Sequence, residues 1–243
     1  MSALAGLAVS VAQGFVGKIK RRLNTEDLKS ISHRRKNWSH FPAPVKLRAE
    51  TMTSPHKIGL FGGTFDPVHL GHLHLAGLAR DALGLDEVRF LPCPISPHKL
   101  GSTPVSGEDR CEMLRLATAD LPWAVVDDYE LRQPGPAYSY LTAEALSEKF
   151  PDARLYWIMG GDQWDALPAW KNPARLARCV EFAVIARGKS PKPRAGYRLH
   201  VVKGHHPASA TAIRQAFADG AVSHSWLAPH VAAWIAAKGL YRS

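Results

Sequence analysis

Hydrophobic and polar positions alternate along the chain between short apolar runs and longer helical stretches from residue 57 onward. Apolar runs at Ile58–Phe61, Val88–Leu91, Trp123–Val126, Leu155–Met159 and Val180–Ala186 read as strands, with a further one at Arg198–Val202. Between them, Leu70–Leu83, Glu108–Asp120 and Ser139–Lys149 carry helical periodicity, and Ser209–Ala218 and Pro229–Lys238 close the chain. Strand and helix in alternation predict an α/β fold, a Rossmann-like doubly wound parallel sheet with helices on both faces. Ser106 with Asp109 three residues on, and Asn172 before Pro173, mark helix starts.

The chain has 243 residues and a formal net charge of +10, which at face value invites a polyanionic partner. The excess is local. Residues 1–51 hold ten lysines and arginines against Glu26, Asp27 and Glu50, a net of +7, and this leaves +3 on residues 52–243. Residues 1–51 are therefore expected to be a basic, disordered N-terminal extension, with Met52 resembling a second start, and residues 52–243 to form the working domain. The apolar run Ala3–Val16 is too short to span a bilayer, and its charges follow it rather than lead it. Glu26 and Asp27 also weigh against a membrane-lying or organelle-addressing segment. Cys93, Cys111 and Cys179 form no pair in sequence, which fits a reducing compartment. The expected location is cytoplasmic, without membrane association, and nothing in the pattern specifies an oligomeric state.

The chemistry concentrates where the first strand enters the first helix, at Gly62-Gly63-Thr64-Phe65-Asp66-Pro67-Val68-His69-Leu70-Gly71-His72. Adjacent glycines are expected to turn the chain sharply and to expose backbone N–H groups, and the helix N-terminus beyond them favours phosphate. His69 and His72 share the first helical turn, and Gly71 between them permits close approach by a ligand. A zinc pair would need further ligands nearby, and none is arranged for it. Neither a Walker A sequence nor Gly-x-Gly-x-x-Gly is present, which excludes the usual phosphate-loop NTPases and dinucleotide-fold oxidoreductases.

This stretch resembles the His-x-Gly-His signature of the nucleotidylyltransferase superfamily. Ser96-Pro97-His98-Lys99, Tyr138-Ser139 with Thr142, Gly160-Gly161-Asp162, Pro168-Ala169-Trp170, Ser209-Ala210-Thr211-Ala212-Ile213-Arg214 and Gly239-Leu240-Tyr241-Arg242 follow in the order of the bacterial nicotinate mononucleotide adenylyltransferases. The chain departs from that pattern at Ala208, where isoleucine is usual, at Ser139 for threonine, and at Gly161 for alanine or glutamine. The extension before Met52 has no counterpart in it.

The resemblance implies transfer of AMP from ATP to nicotinate mononucleotide, giving nicotinate adenine dinucleotide and pyrophosphate in NAD biosynthesis, with Mg²⁺ carried mainly by the ATP phosphates. It implies His72, His69, Lys99 and Arg214 as catalytic residues. ATP would be held by Gly62, Gly63, Thr64, Phe65, His69, Gly71, His72, Gly160, Asp162, Ser209, Thr211 and Arg214. The acceptor would lie against Tyr138, Ser139 and a Trp170 platform. Asp66 is expected to brace the loop, and Trp157, Trp164 and Trp234 to pack. Two other readings stay open here: adenylyl transfer to nicotinamide mononucleotide or phosphopantetheine, and nucleic-acid binding through the basic tail, with Trp38 and Phe41 as its nearby aromatics. No nucleic-acid partner is expected for the catalytic domain itself.

Overall fold

The computed structural model describes residues 55–94, 104–188 and 190–242. The expected tail and the Ser96–Lys99 motif lie outside the described residues. Six parallel strands form one sheet in the order β3-β2-β1-β4-β5-β6. They are β1 (Lys57–Gly63), β2 (Glu87–Pro92), β3 (Ala124–Val126), β4 (Arg154–Gly160), β5 (Val180–Ala186) and β6 (Leu199–Lys203). Among the described residues the helices are α1 (Leu70–Leu83), α2 (Gly107–Thr118), α3 (Tyr129–Arg132), α4 (Ser139–Lys149), α5 (Gly161–Ala166), α6 (Pro173–Cys179), α7 (Ala210–Ala218) and α8 (Pro229–Lys238), with a 3₁₀ turn at Leu167–Ala169.

The sheet separates two cores because side chains alternate along each strand. Val88 and Phe90, Tyr156 and Ile158, and Ala183 and Ile185 face one core with α1, α2, α7 and α8. Ile58 and Leu60, Leu155, Trp157 and Met159, and Phe182 and Val184 face the other, with α4, α5 and α6. Every residue of β5 is buried, as expected of a parallel strand covered on both faces. Its one charged residue, Glu181, accepts from Arg154 Nη2 at 2.7 Å and lies 2.6 Å from His200 Nε2.

Several local expectations hold in detail. Ser106 caps α2, accepting from the Asp109 N–H at 3.0 Å and donating to Asp109 Oδ2 at 2.7 Å, an arrangement worth about 1 kcal/mol. Trp157 and Trp164 are buried, and Trp164 Nε1 donates to the Lys192 carbonyl at 3.0 Å. Asn172 does stand at the N-cap of α6, but in the left-handed region (φ 49°) and without a side-chain cap. Pro173 at the first helical position, with its preset φ, starts that helix instead.

The strand order reverses between β1 and β4, where ligands bind in open α/β sheets. Their pairing runs from Lys57 opposite Arg154 to Leu60 opposite Trp157, and both strands continue three residues further. The sheet therefore splays at the carboxyl ends of β1 and β4, and Gly63 and Gly160 end the two sides of the opening.

Candidate active site

The glycine pair does not make the turn. Gly62 and Gly63 remain in β1, paired with Leu91 and Pro92 of β2, and the left-handed residue is Phe65 at φ 51°. Gly63 is needed for another reason: a Cβ there would meet the Phe65 ring at 3.0–3.2 Å. Phe65 is 2% exposed and packs edge-on against Phe61, Phe90 and the His72 ring, the last at 5.0 Å between centroids. Packing on all sides offsets the unfavourable backbone conformation of a bulky residue. The outcome is a loop pinned by its own aromatic ring directly beneath His72.

His69 occupies the N-cap of α1 and donates its main-chain N–H to His72 Nδ1 at 3.2 Å. The two imidazoles stack with centroids 3.7 Å apart and planes 21° off parallel. His72 Nδ1 accepts that bond, which places a ring proton on Nε2. Burial lowers the His69 pKa to about 4, with the nearby His206 acting in the same direction. A Cβ at Gly71 would lie 3.0 Å from His69 Nδ1 and 3.1 Å from His206 Nδ1, so glycine lets both rings close onto α1. The site thus presents a stacked pair of imidazoles at a helix N-terminus, with His69 held neutral by its burial.

Arg214, on α7, donates from Nη1 to the Asp66 carbonyl at 2.7 Å and from Nη2 to Thr211 Oγ1 at 3.3 Å. Ser209 caps α7 through the Ala212 N–H at 3.4 Å. Asp66 Oδ1 accepts from the Tyr241 hydroxyl at 2.7 Å and from the Val105 N–H at 3.4 Å, a loop-bracing arrangement. The structure therefore brings together Gly63, Thr64, Phe65, His69, Gly71, His72, Thr211 and Arg214. Gly160 ends β4 across the opening, and Asp162 is an exposed residue in the first turn of α5, where Gly160 holds the cap position.

The three residues expected at the acceptor sit on the opposite face of the sheet. Tyr138 and Trp170 both pack against the second core, and Lys171 Nζ lies 5.8 Å from the Tyr138 ring centroid. Tyr138 is the N-cap of α4 and Ser139 its first residue, and no side chain caps that helix. Its leading N–H groups can receive an anion. The residues expected for the two substrates are thus divided between the two faces of the sheet.

Two features went unread in the sequence. Arg110 is buried at 2% exposure and donates to the carbonyls of Val105, Thr64, Cys93 and Pro94 at 2.7–3.3 Å, tying the loops after β1 and β2 together. Its signal was an arginine at the head of the apolar spacing Arg110, Met113, Leu114, Ala117 on α2. A cavity of about 730 Å³ also opens at the carboxyl ends of β5 and β6, lined by Ala186, Arg187, Gly188, Ser190, Lys203, Gly204 and His205. None of the residues expected from the motifs lines it.

Stacked histidines at a helix start, on a parallel sheet of order 3-2-1-4-5-6, fit the class of nucleotidyl-transferring α/β proteins. The profile of the cytidylyltransferase-like family matches residues 60–216. The chain is 38% identical over 194 residues to the "Probable nicotinate-nucleotide adenylyltransferase" of Bacillus mycoides (strain KBAB4), covering 77% of this chain and 99% of that one. The protein of the same name from Enterococcus faecalis (strain ATCC 700802 / V583) is 37% identical over 202 residues, covering 82% and 92%. The fold is also that of the Plasmodium falciparum nicotinic acid mononucleotide adenylyltransferase, solved in complex with NaAD, with a TM-score of 0.60 at 16% identity over 76% of this chain and 97% of that one. The chain belongs to the nicotinate-nucleotide adenylyltransferase family.

Proposed function

We propose that this protein transfers AMP from ATP to the phosphate of nicotinate mononucleotide, releasing pyrophosphate and forming nicotinate adenine dinucleotide. The observation that carries the reading is the stacked His69–His72 pair at the start of α1, beside the splayed ends of β1 and β4. The attacking phosphate oxygen is already ionised near neutral pH, so the protein's work is alignment and stabilisation of charge at the α-phosphorus. His72 donates through Nε2–H to the phosphate oxygens, and His69 does so as a neutral ring. The main chain of Gly62 to Phe65 lies along the phosphates, and the α7 N-terminus with Ser209, Thr211 and Arg214 receives the triphosphate. Lys99, which lies outside the described residues, is assigned to the same phosphates. Gly160 and Asp162 take the ribose side, and the cavity at the ends of β5 and β6 takes the base.

The acceptor's pyridine ring stacks on Trp170, and its carboxylate meets the N–H groups of Ser139 and Tyr140 at the head of α4. Mg²⁺ enters with ATP, bound to its phosphates. Among the described residues no group of three histidines, cysteines or carboxylates could hold an ion. The free thiols Cys93, Cys111 and Cys179 suit a reducing cytoplasm. Among the described residues no helix is long and apolar enough to cross a membrane.

The deciding experiment offers purified protein ATP and Mg²⁺ with nicotinate mononucleotide, nicotinamide mononucleotide or phosphopantetheine, and measures dinucleotide and pyrophosphate. Fastest turnover with nicotinate mononucleotide is expected, and turnover with none of them overturns the reading. We assign this work to residues 52–243, so removing residues 1–51 should leave kcat/KM unchanged.

A further inference from the structure

We propose that Glu130 is a specificity-determining residue: seated by the first turn of α4 and bonded to Thr142, its carboxyl sets how strongly that helix start favours a carboxylate over a carboxamide on the acceptor. This rests on the acceptor reading above and adds to it a residue that touches neither substrate.

Glu130 is 4% exposed and Thr142 2%, and Thr142 Oγ1 donates to Glu130 Oε1 at 2.7 Å. Thr142 is the fourth residue of α4, and a helical side chain leans toward the helix N-terminus. The bond therefore fastens α3, on which Glu130 sits, to the turn that presents the Ser139 and Tyr140 N–H groups. The Leu131 side chain of α3 packs over Gly107 of α2, within 3.0–3.1 Å of where a Cβ would be.

The electrostatic surroundings leave the carboxyl poorly neutralised. From the connection after β3, Asp127 faces it as a second acid and is itself paired with Arg89 at 2.9 Å. From the end of β2, the Cys93 thiol faces it and feels its charge. From α4 its contact is the neutral Thr142 hydroxyl. Among the described residues no cation forms an ion pair with Glu130, and Arg110 spends its donors on four carbonyls. Burial raises the Glu130 pKa to about 7, opposed by the Thr142 hydrogen bond and reinforced by Asp127.

The consequence has a definite sign. A neutral Glu130 leaves the positive end of α4 to the ligand. An ionised Glu130 places a negative charge beside that end, which disfavours an anionic ring substituent and leaves a neutral carboxamide unaffected. The ratio of KM for nicotinamide mononucleotide to KM for nicotinate mononucleotide should therefore fall as pH rises from 6 to 8.5. Both acceptors carry the same phosphate, so the ratio cancels its titration.

The test measures this ratio against pH for the full-length enzyme and for Glu130→Gln, which keeps an acceptor for Thr142 and removes the charge. The wild-type ratio is expected to drop roughly threefold or more, and the variant ratio to stay flat. A flat wild-type ratio overturns the proposal without using any variant, as does a Glu130→Gln ratio that follows the wild-type curve. An enzyme that transfers AMP to neither nucleotide overturns the underlying function instead, so the two failures are distinguishable.

Discussion

Arg214 reaches across 148 residues of sequence to donate to the main-chain carbonyl of Asp66 at 2.7 Å. The bond couples the head of α7 to the loop that ends at His69, so the residues expected on the triphosphate and on the α-phosphorus cannot shift independently. Arg214→Ala should lower kcat/KM for ATP by about 100-fold, the scale of losing one positioned donor. Arg214→Lys keeps the charge but loses the planar fork that serves Asp66 and Thr211 together. Steady-state kinetics should place it between wild type and alanine, and near-normal rates for both variants would remove Arg214 from the site.

The His69–His72 stack sets a pH expectation. Burial holds His69 neutral down to about pH 4, well below an exposed imidazole. Between about pH 6.5 and 4 the unfolded chain takes up that proton first, so this residue's contribution lowers stability as pH falls through that window and is constant above it. A histidine NMR titration of the free enzyme should give His69 a midpoint near 4, and a midpoint near 6.5 would contradict the buried geometry. His72→Ala should cut turnover at neutral pH by at least about 100-fold.

The strands and long helices were legible because burial on one or both faces imposes period 2 or 3.6 on the side chains. β5 and the helices α1, α4 and α8 fall at the residues their patterns predict. α3 was not legible, since four residues are too few to show a period. The glycine pair was read for the wrong mechanics: both residues stay in β1, and Gly63 admits the Phe65 ring, a contact that backbone propensity does not encode. Arg110 and Glu130 escaped because charged helical residues ordinarily face water. Only the sheet and its loops show that both are enclosed, and that one grips four carbonyls while the other holds a single hydroxyl.

Glu181 offers a stability test away from the site. Burial acts to raise its pKa, but hydrogen bonds from Arg154 and His200 and the charges of Arg154 and Arg198 together hold the carboxyl below its ordinary value. Its contribution is present above the unfolded carboxyl pKa and is lost as pH falls through the lower folded one. Arg154 and Arg198 are half-exposed or more, which reduces the worth of the cluster. Glu181→Gln should destabilise by roughly 1–2 kcal/mol at pH 7. Thermal melts of the two proteins should converge toward pH 3, and a gap that is constant with pH would show that the carboxylate charge is not what stabilises.

Trp170 closes the 3₁₀ turn at Leu167–Ala169 and packs against the same core as Tyr138, on the face of the sheet opposite the histidines. That separation makes its kinetic signature distinct. If the indole is the platform for the pyridine ring, Trp170→Ala removes ring contact that is the same in the ground state and in the transition state, which raises KM without changing kcat. The expected result is a KM for nicotinate mononucleotide higher by roughly tenfold, with KM for ATP within about twofold of wild type. Trp170→Phe should recover most of the loss, because a smaller aromatic face still stacks. An unchanged acceptor KM in the alanine variant would move the ring to another surface, whereas a matched rise in both KM values would mark Trp170 as packing that supports the whole site.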